Sequence, residues 1–159
     1  MAHKGCSDEL DRAVARPDVE QLCRHLDAYA EWHRQGSGHW SDDTHAAFGD
    51  ICVCSDDDPE KALAYVVLGA ARSDDSGFLA ALGCGPLKNI LRNPSPELLD
   101  RIVAEARKSA RFRWLLSCPF RIAIAPSAWD ATARFRITGP HVEPAADHLP
   151  PRRSGATSD

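Results

Sequence analysis

The stretch Asp56-Asp57-Asp58-Pro59-Glu60, followed by Ala62 to Ala71, constrains this chain more than any other. Asp58 can cap, Pro59 loses nothing by lacking an N–H at the first helical position, and Glu60 favours the positive end of the helix dipole. The helix they open runs from Pro59 to about Arg72. Ala62, Leu63, Tyr65, Val66, Val67, Leu68, Ala70 and Ala71 cover most of its circumference. An apolar stripe asks for one neighbour, whereas a helix apolar nearly all round asks to be enclosed. Residues 59–72 are therefore expected at the centre of the core.

The same start and stop signals recur on both sides. Asp18 is read as the N-cap of an amphipathic helix over 18–35, with Val19, Leu22, Cys23, Leu26, Tyr29, Ala30 and His33 at helical spacing and Gly36-Ser37-Gly38 as its end. A short helix is expected from about Asp43 to Cys54. Ser76 to Leu82 supplies about two turns, and after Gly83-Cys84-Gly85, Pro86 is read as starting a new helix with Leu87, Ile90 and Leu91 on one face. Ser95-Pro96-Glu97 opens a helix to about Lys108. It sets Leu98, Leu99, Ile102, Val103 and Ala106 inward, and Asp100, Arg101, Glu105 and Lys108 outward. Ala110 to Ser117 follows, with Phe112, Leu115 and Leu116 as its apolar set. Phe120 to Ile124 alternates in part and is read as a loop or helical extension in preference to a strand. Ser127-Ala128-Trp129-Asp130 starts a last short helix. The expected fold is all-α, an irregular bundle or a short stack of helical hairpins. A single domain over 1–138 suits a chain of 159 residues. Residues 139–159, with Pro140, Pro144, Pro150 and Pro151 and little that is apolar, are expected to form a disordered tail.

Charge is unevenly placed. Residues 1–58 hold 13 acidic and 5 basic side chains, and 101–138 hold 2 acidic and 8 basic. Either segment can steer a partner of opposite sign, or the two can face each other or simply be solvated. The acidic excess suggests a protein-binding face at Asp42, Asp43, Asp56 and Asp57. The basic series Arg107, Lys108, Arg111, Arg113 and Arg121, interleaved with Phe112, Trp114 and Phe120, has the ingredients of a nucleic-acid surface. An isoelectric point near 5.9 weighs against that second reading. Trp32, Trp40 and Trp129 fit core or partner anchors better than ligand stackers.

Reactive grammar is sparse. Cys52-Val53-Cys54 with His39, His45 and Asp50, or Cys23 with His25 and His33, assembles a zinc site only on paper. A Cys-x-Cys pair on a helix points its thiolates apart, where zinc sites space them by two to four residues. Cys84, between two glycines just before the expected helix start, is the one thiol whose local context favours a thiolate; close approach of two helices at small residues explains it better. No phosphate-binding glycine loop, Gly-x-Ser-x-Gly elbow or His-Glu-x-x-His is present. No metal, cofactor or catalytic residue is expected, and a metal- or thiol-dependent enzyme is the weakest reading. Six cysteines are too few for a disulfide scaffold, the N-terminus lacks a signal-like apolar stretch, and no run nears the ~18 apolar residues of a membrane span. A cytoplasmic location is expected.

Gly85-Pro86-Leu87-Lys88-Asn89-Ile90-Leu91, the amphipathic stretch 97–108 and Arg111-Phe112-Arg113-Trp114-Leu115-Leu116 together resemble the core of an uncharacterised bacterial family, domain of unknown function 6869, over roughly 29–130. The matching positions are Gly85, Pro86, Leu87, Leu91, Phe112, Arg113, Leu115 and Trp129. Lys88 and Asn89 stand where that family has acids. The resemblance implies a mostly helical domain and brings no activity. The overall expectation is a cytoplasmic protein–protein interaction or regulatory module, of the antagonist or immunity kind, with an acidic N-terminal face. Nucleic-acid binding through 107–121 is the alternative.

Overall fold

The computed structural model describes residues 8–36 and 40–152. They are all helix, turn and loop. In chain order the helices are α1 (Asp8–Val14), α2 (Val19–Arg34), α3 (Asp42–Asp57), α4 (Pro59–Arg72), α5 (Ser76–Leu82), α6 (Lys88–Leu91), α7 (Pro96–Lys108), α8 (Ala110–Leu116) and α9 (Pro126–Thr132). Helix α4 is the axis. Every residue from Ala62 to Ala70 is buried, with α1, α2, α3, α5 and α8 packed around it. The helix apolar all round is the one the others enclose.

Local capping chemistry sets most boundaries. Asp58 accepts from the Lys61 amide at 3.1 Å, Asp75 from Phe78 at 3.1 Å, Ser95 from Leu98 at 3.2 Å and Ser109 from Phe112 at 3.1 Å. Ser41 caps α3 at Thr44, so that helix starts before Asp43 and runs past Cys54 to Asp57. Asp18 makes no cap bond. Its carboxylate takes the Arg16 guanidinium at 2.9 Å instead, because a charge-assisted bond outcompetes a neutral amide donor. The expected glycine stop after α2 falls partly on residues 37–39, outside the described residues.

Pro86 does not open a new helix. Helices α5 and α6 are joined by one π turn, Gly83–Leu87, with Pro86 inside it. The wider turn spares proline the clash and the lost bond it would suffer in a regular α-helix. Gly83 is there for close approach: a Cβ would lie 2.7 Å from the Leu115 carbonyl oxygen and 2.9 Å from Cys118 Cβ. Helix α7 also differs from its helical-wheel expectation. Glu105 is buried, and Arg101 turns between Glu9, which it grips twice at 2.7 Å, and Glu60. Residues 121–123 form a 3-10 turn, in line with a loop or helical extension.

The packed body extends beyond residue 138. Of the segment expected as a tail, residues 139–152 lie against the helices and 153–159 fall outside the described residues. Two arginines hold them. Arg111, buried, donates to Ala70 O and Ser73 O at 2.6 Å, to Asp74 Oδ1 at 2.7 Å and to Pro150 O at 2.8 Å. Arg136 donates to Leu116 O, Ser117 O, Pro119 O and Gly139 O. Each guanidinium thus occupies the negative end of a helix, α4 or α8, and ties the C-terminal segment to it. Replacing Arg111 by Met leaves three carbonyls and one carboxylate short of a donor. The expected loss is about 3–5 kcal/mol of folding stability, read as a fall in the urea midpoint.

Candidate functional site

Helix α3 carries the acidic residues picked from sequence, but at its two ends. Asp42 and Asp43 lie in its first turn and Asp56 and Asp57 in its last, about 20 Å apart along the axis. All four are exposed, and none takes part in an ion pair among the described residues. Thr44, Ala47, Ile51 and Cys54 face the core. That leaves Asp42, His45, Ala46, Gly49, Val53 and Asp56 outward, with Val53 55% exposed.

Aromatic rings gather at the N-terminal end of α3, the end whose first turn carries Asp42 and Asp43. Trp40 stands edge-on to Trp32 at 5.3 Å, to Phe48 at 5.5 Å and to His45 at 6.0 Å. Beneath them Tyr29 contacts Trp32, His33, Phe48 and Phe78. Burial pushes the Tyr29 phenol up to about 12 and lowers the His33 imidazole. The base of the cluster is therefore uncharged. Its top is open: Trp40 is 46% and Phe48 38% exposed. Two large rings in water beside two unpaired carboxylates form the most distinctive surface among the described residues.

A polar knot lies under the opposite side of α3. Lys61 donates to Asp50 Oδ1 at 2.7 Å, and the Tyr65 hydroxyl donates to Asp50 Oδ2. His25 Nδ1 sits 2.7 Å from the Tyr65 oxygen and 3.3 Å from Asp50 Oδ2. Tyr65 has one proton and gives it to Asp50, so His25 must carry its own on Nδ1. Burial pushes the Asp50 carboxyl up, yet the Lys61 and Tyr65 bonds and the Lys61 charge outweigh it and hold it below the ordinary aspartate range. The knot joins α2, α3 and α4. It brings together Asp50 from one of the two paper zinc groups and His25 from the other, with a tyrosine and a lysine in place of cysteines. His39 lies outside the described residues. No group of three or more His, Cys, Asp or Glu is placed to hold a metal among the described residues. Sequence reasoning missed the knot because Lys61 and Tyr65 share a helical spacing but Asp50 and His25 come from other helices.

Four of the described thiols are protected. Burial pushes Cys52 and Cys84 up, Cys54 up to about 12 and Cys118 further. Cys84, the candidate for activation, sits inside the π turn and not before a helix start.

The basic series is dispersed. Lys108 reaches Asp8 at 2.8 Å, and Arg113 donates to Ala106 O at 2.8 Å. Arg107 lies over the Phe135 ring at 6.0 Å and Arg121 over Trp129 at 5.4 Å. Arg111 is consumed by α4 and the C-terminal segment. Part of the charge asymmetry is thus spent inside the molecule, through Arg101 with Glu9 and Glu60 and through Lys108 with Asp8. The acids at the two ends of α3 are among those that take no such partner. No helix among the described residues is long and apolar enough to cross a membrane.

Residues 34–138 match the model of a family of unknown function, DUF6869. No curated protein and no solved structure matches.

The knot predicts a pH signature. Because Asp50 titrates lower in the folded than in the unfolded chain, its contribution is present above about pH 4 and is lost as pH falls through its depressed value. Asp50→Asn removes the titrating group, so stability measured in urea should fall less steeply with acid than in the wild type.

Proposed function

This chain belongs to DUF6869, a family of unknown function, and we propose that it works as a protein-binding module through the outward face of α3. The observation that carries this reading is the exposure of Trp40 and Phe48 at the end of α3 that also carries Asp42 and Asp43, neither of which takes part in an ion pair among the described residues. Tryptophan and other aromatics at a surface, packed against one another from below, are rigid and lose little freedom on being covered. The carboxylates beside them favour a partner with basic residues and speed its approach at low salt. Asp56 and Asp57, one helix length away, extend the same preference along α3 and would engage a partner long enough to lie along the helix. A cytoplasmic setting and a regulatory or antagonist role fit this reading.

Gly49 supports it independently. It lies inside α3, one turn after His45, where glycine costs about 0.5–1 kcal/mol relative to alanine. Its φ is not positive, and a Cβ there would meet nothing within 4 Å. The fold therefore has no use for glycine at this position, whereas a partner lying close on the helix backbone would.

Nucleic-acid binding through Arg107, Lys108, Arg111, Arg113 and Arg121 draws no support from their placement, since Arg111 is buried and the others are engaged with neighbouring groups.

The test is affinity capture with the full chain at low and high salt, beside the double variant Trp40→Ala/Phe48→Ala. A protein held at low salt, released by high salt and lost with the double variant is the expected result; capture that ignores both changes overturns the reading. Gly49→Ala separates binding from folding. It should raise stability by about 0.5–1 kcal/mol while weakening capture.

A further inference from the structure

Residues 139–152 are held in the way a protein holds a peptide ligand. The body supplies donors and the segment supplies main-chain acceptors: Arg136 Nη2 to Gly139 O at 3.0 Å, the Arg121 amide to Pro140 O at 2.9 Å, Trp114 Nε1 to Ala145 O at 3.1 Å and Arg111 Nε to Pro150 O at 2.8 Å. One side chain of the segment adds polar contacts of its own, Arg152, which pairs with Asp74 at 3.0 Å and donates to Arg72 O at 3.3 Å. Two residues anchor it by packing: Pro144 is buried and Leu149 lies against the core. Its backbone turns at 139–142 and again in a 3-10 turn at Ala146–His148, and is in the polyproline II region on either side of the latter, with φ −68° and ψ 145° at Ala145 and φ −63° and ψ 118° at Leu149. Four prolines, at 140, 144, 150 and 151, stiffen it beforehand. An indole N–H and arginine N–H groups on the carbonyls of a proline-rich strand are a recurring mode of peptide recognition.

We propose that Arg111, Trp114, Arg121 and Arg136 form a receptor for proline-rich peptide with a turn between its anchors, filled here in cis by 139–152 and open to a segment of the same kind supplied by another chain. All four donors lie within the family-matched range 34–138 and all four acceptors outside it. An open cleft of about 740 Å³ lies where the segment meets Ala71, Asp74 and Arg111, and the segment itself, from Ala146 to Arg152, supplies most of its lining. The contacts are to main-chain carbonyls, which any such segment presents; the proline and leucine anchors choose among them. This site is separate from the face of α3 and does not depend on it.

The test weakens the cis segment and leaves the groove whole. In the full chain, Leu149→Asp/Arg152→Ala removes one apolar anchor and the ionic one, both on the segment. A fluorescent peptide of residues 139–152 should then bind saturably, at least about tenfold more tightly than to the wild type, whose tethered segment competes at an effective concentration on the order of millimolar. Adding Trp114→Phe, which deletes the indole donor and keeps an aromatic ring, should weaken that binding at least about fivefold. A folded double variant that binds no peptide, or that binds a scrambled peptide equally well, overturns the proposal. Should the double variant lose its helical circular dichroism, the wild type decides the matter. The same peptide bearing a nitroxide, in millimolar excess, should broaden the Trp114 indole N–H signal, and an unchanged signal overturns the proposal.

Discussion

The last carbonyls of a helix have no partner further along it and need donors from elsewhere. For the core helix this requirement organises the molecule. Helix α4 buries every residue from Ala62 to Ala70, and at its end the oxygens of Ala70 and of Ser73 just beyond it turn to one side chain. Arg111 meets the need from α8, and its fixed fork has donors to spare for Asp74 and Pro150. One guanidinium therefore fixes the end of the core helix, the angle of α8 against it and the path of the C-terminal segment. Arg136 repeats the device at the end of α8, lying 5.3 Å from the centre of the Trp129 ring.

Internal neutralisation also shapes the outer surface. Arg101, Arg111 and Arg136 are drawn into the fold by acids and helix ends, and Arg101 alone engages Glu9 and Glu60 from two other helices. Arg107, Lys108, Arg121 and Arg134 stay exposed. Asp42, Asp43, Asp56 and Asp57 are among the exposed acids that take no ion pair among the described residues, and the first two share their end of α3 with two uncovered rings. Surface character here is the remainder after the core has taken the charges it needs. The polar knot of His25, Asp50, Lys61 and Tyr65 belongs to that same interior economy, joining three helices through directional bonds that apolar packing alone would not supply.

The helices and their caps were largely legible from the letters. Asp58-Pro59 and Ser95-Pro96 each mark a start that the backbone obeys, Asp75 and Ser109 cap two further helices in the structure, and the spacing of apolar residues located the buried faces of α2, α4 and α7. Misreadings cluster where a long-range partner overrides a local preference. Asp18 left its cap for Arg16, Arg101 turned inward to Glu9, and Pro86 was absorbed into a π turn that brings Gly83 against Leu115. The same holds for the candidate sites. Asp42 and Asp43 were recognisable as exposed acids, but nothing in their spacing told that Trp40 and Phe48 would be uncovered beside them.

Composition, capping signals and apolar periodicity determined an all-α chain with residues 59–72 at its centre, because helix formation and burial of a stripe are decided within a few turns of sequence. Tertiary structure alone decided which charges would be spent, since Glu9 and Arg101 are 92 positions apart and meet only when α1 and α7 pack. It also decided the fate of 139–152: a proline-rich run looks like a tail until the carbonyls it offers find indole and guanidinium donors that other helices have already placed.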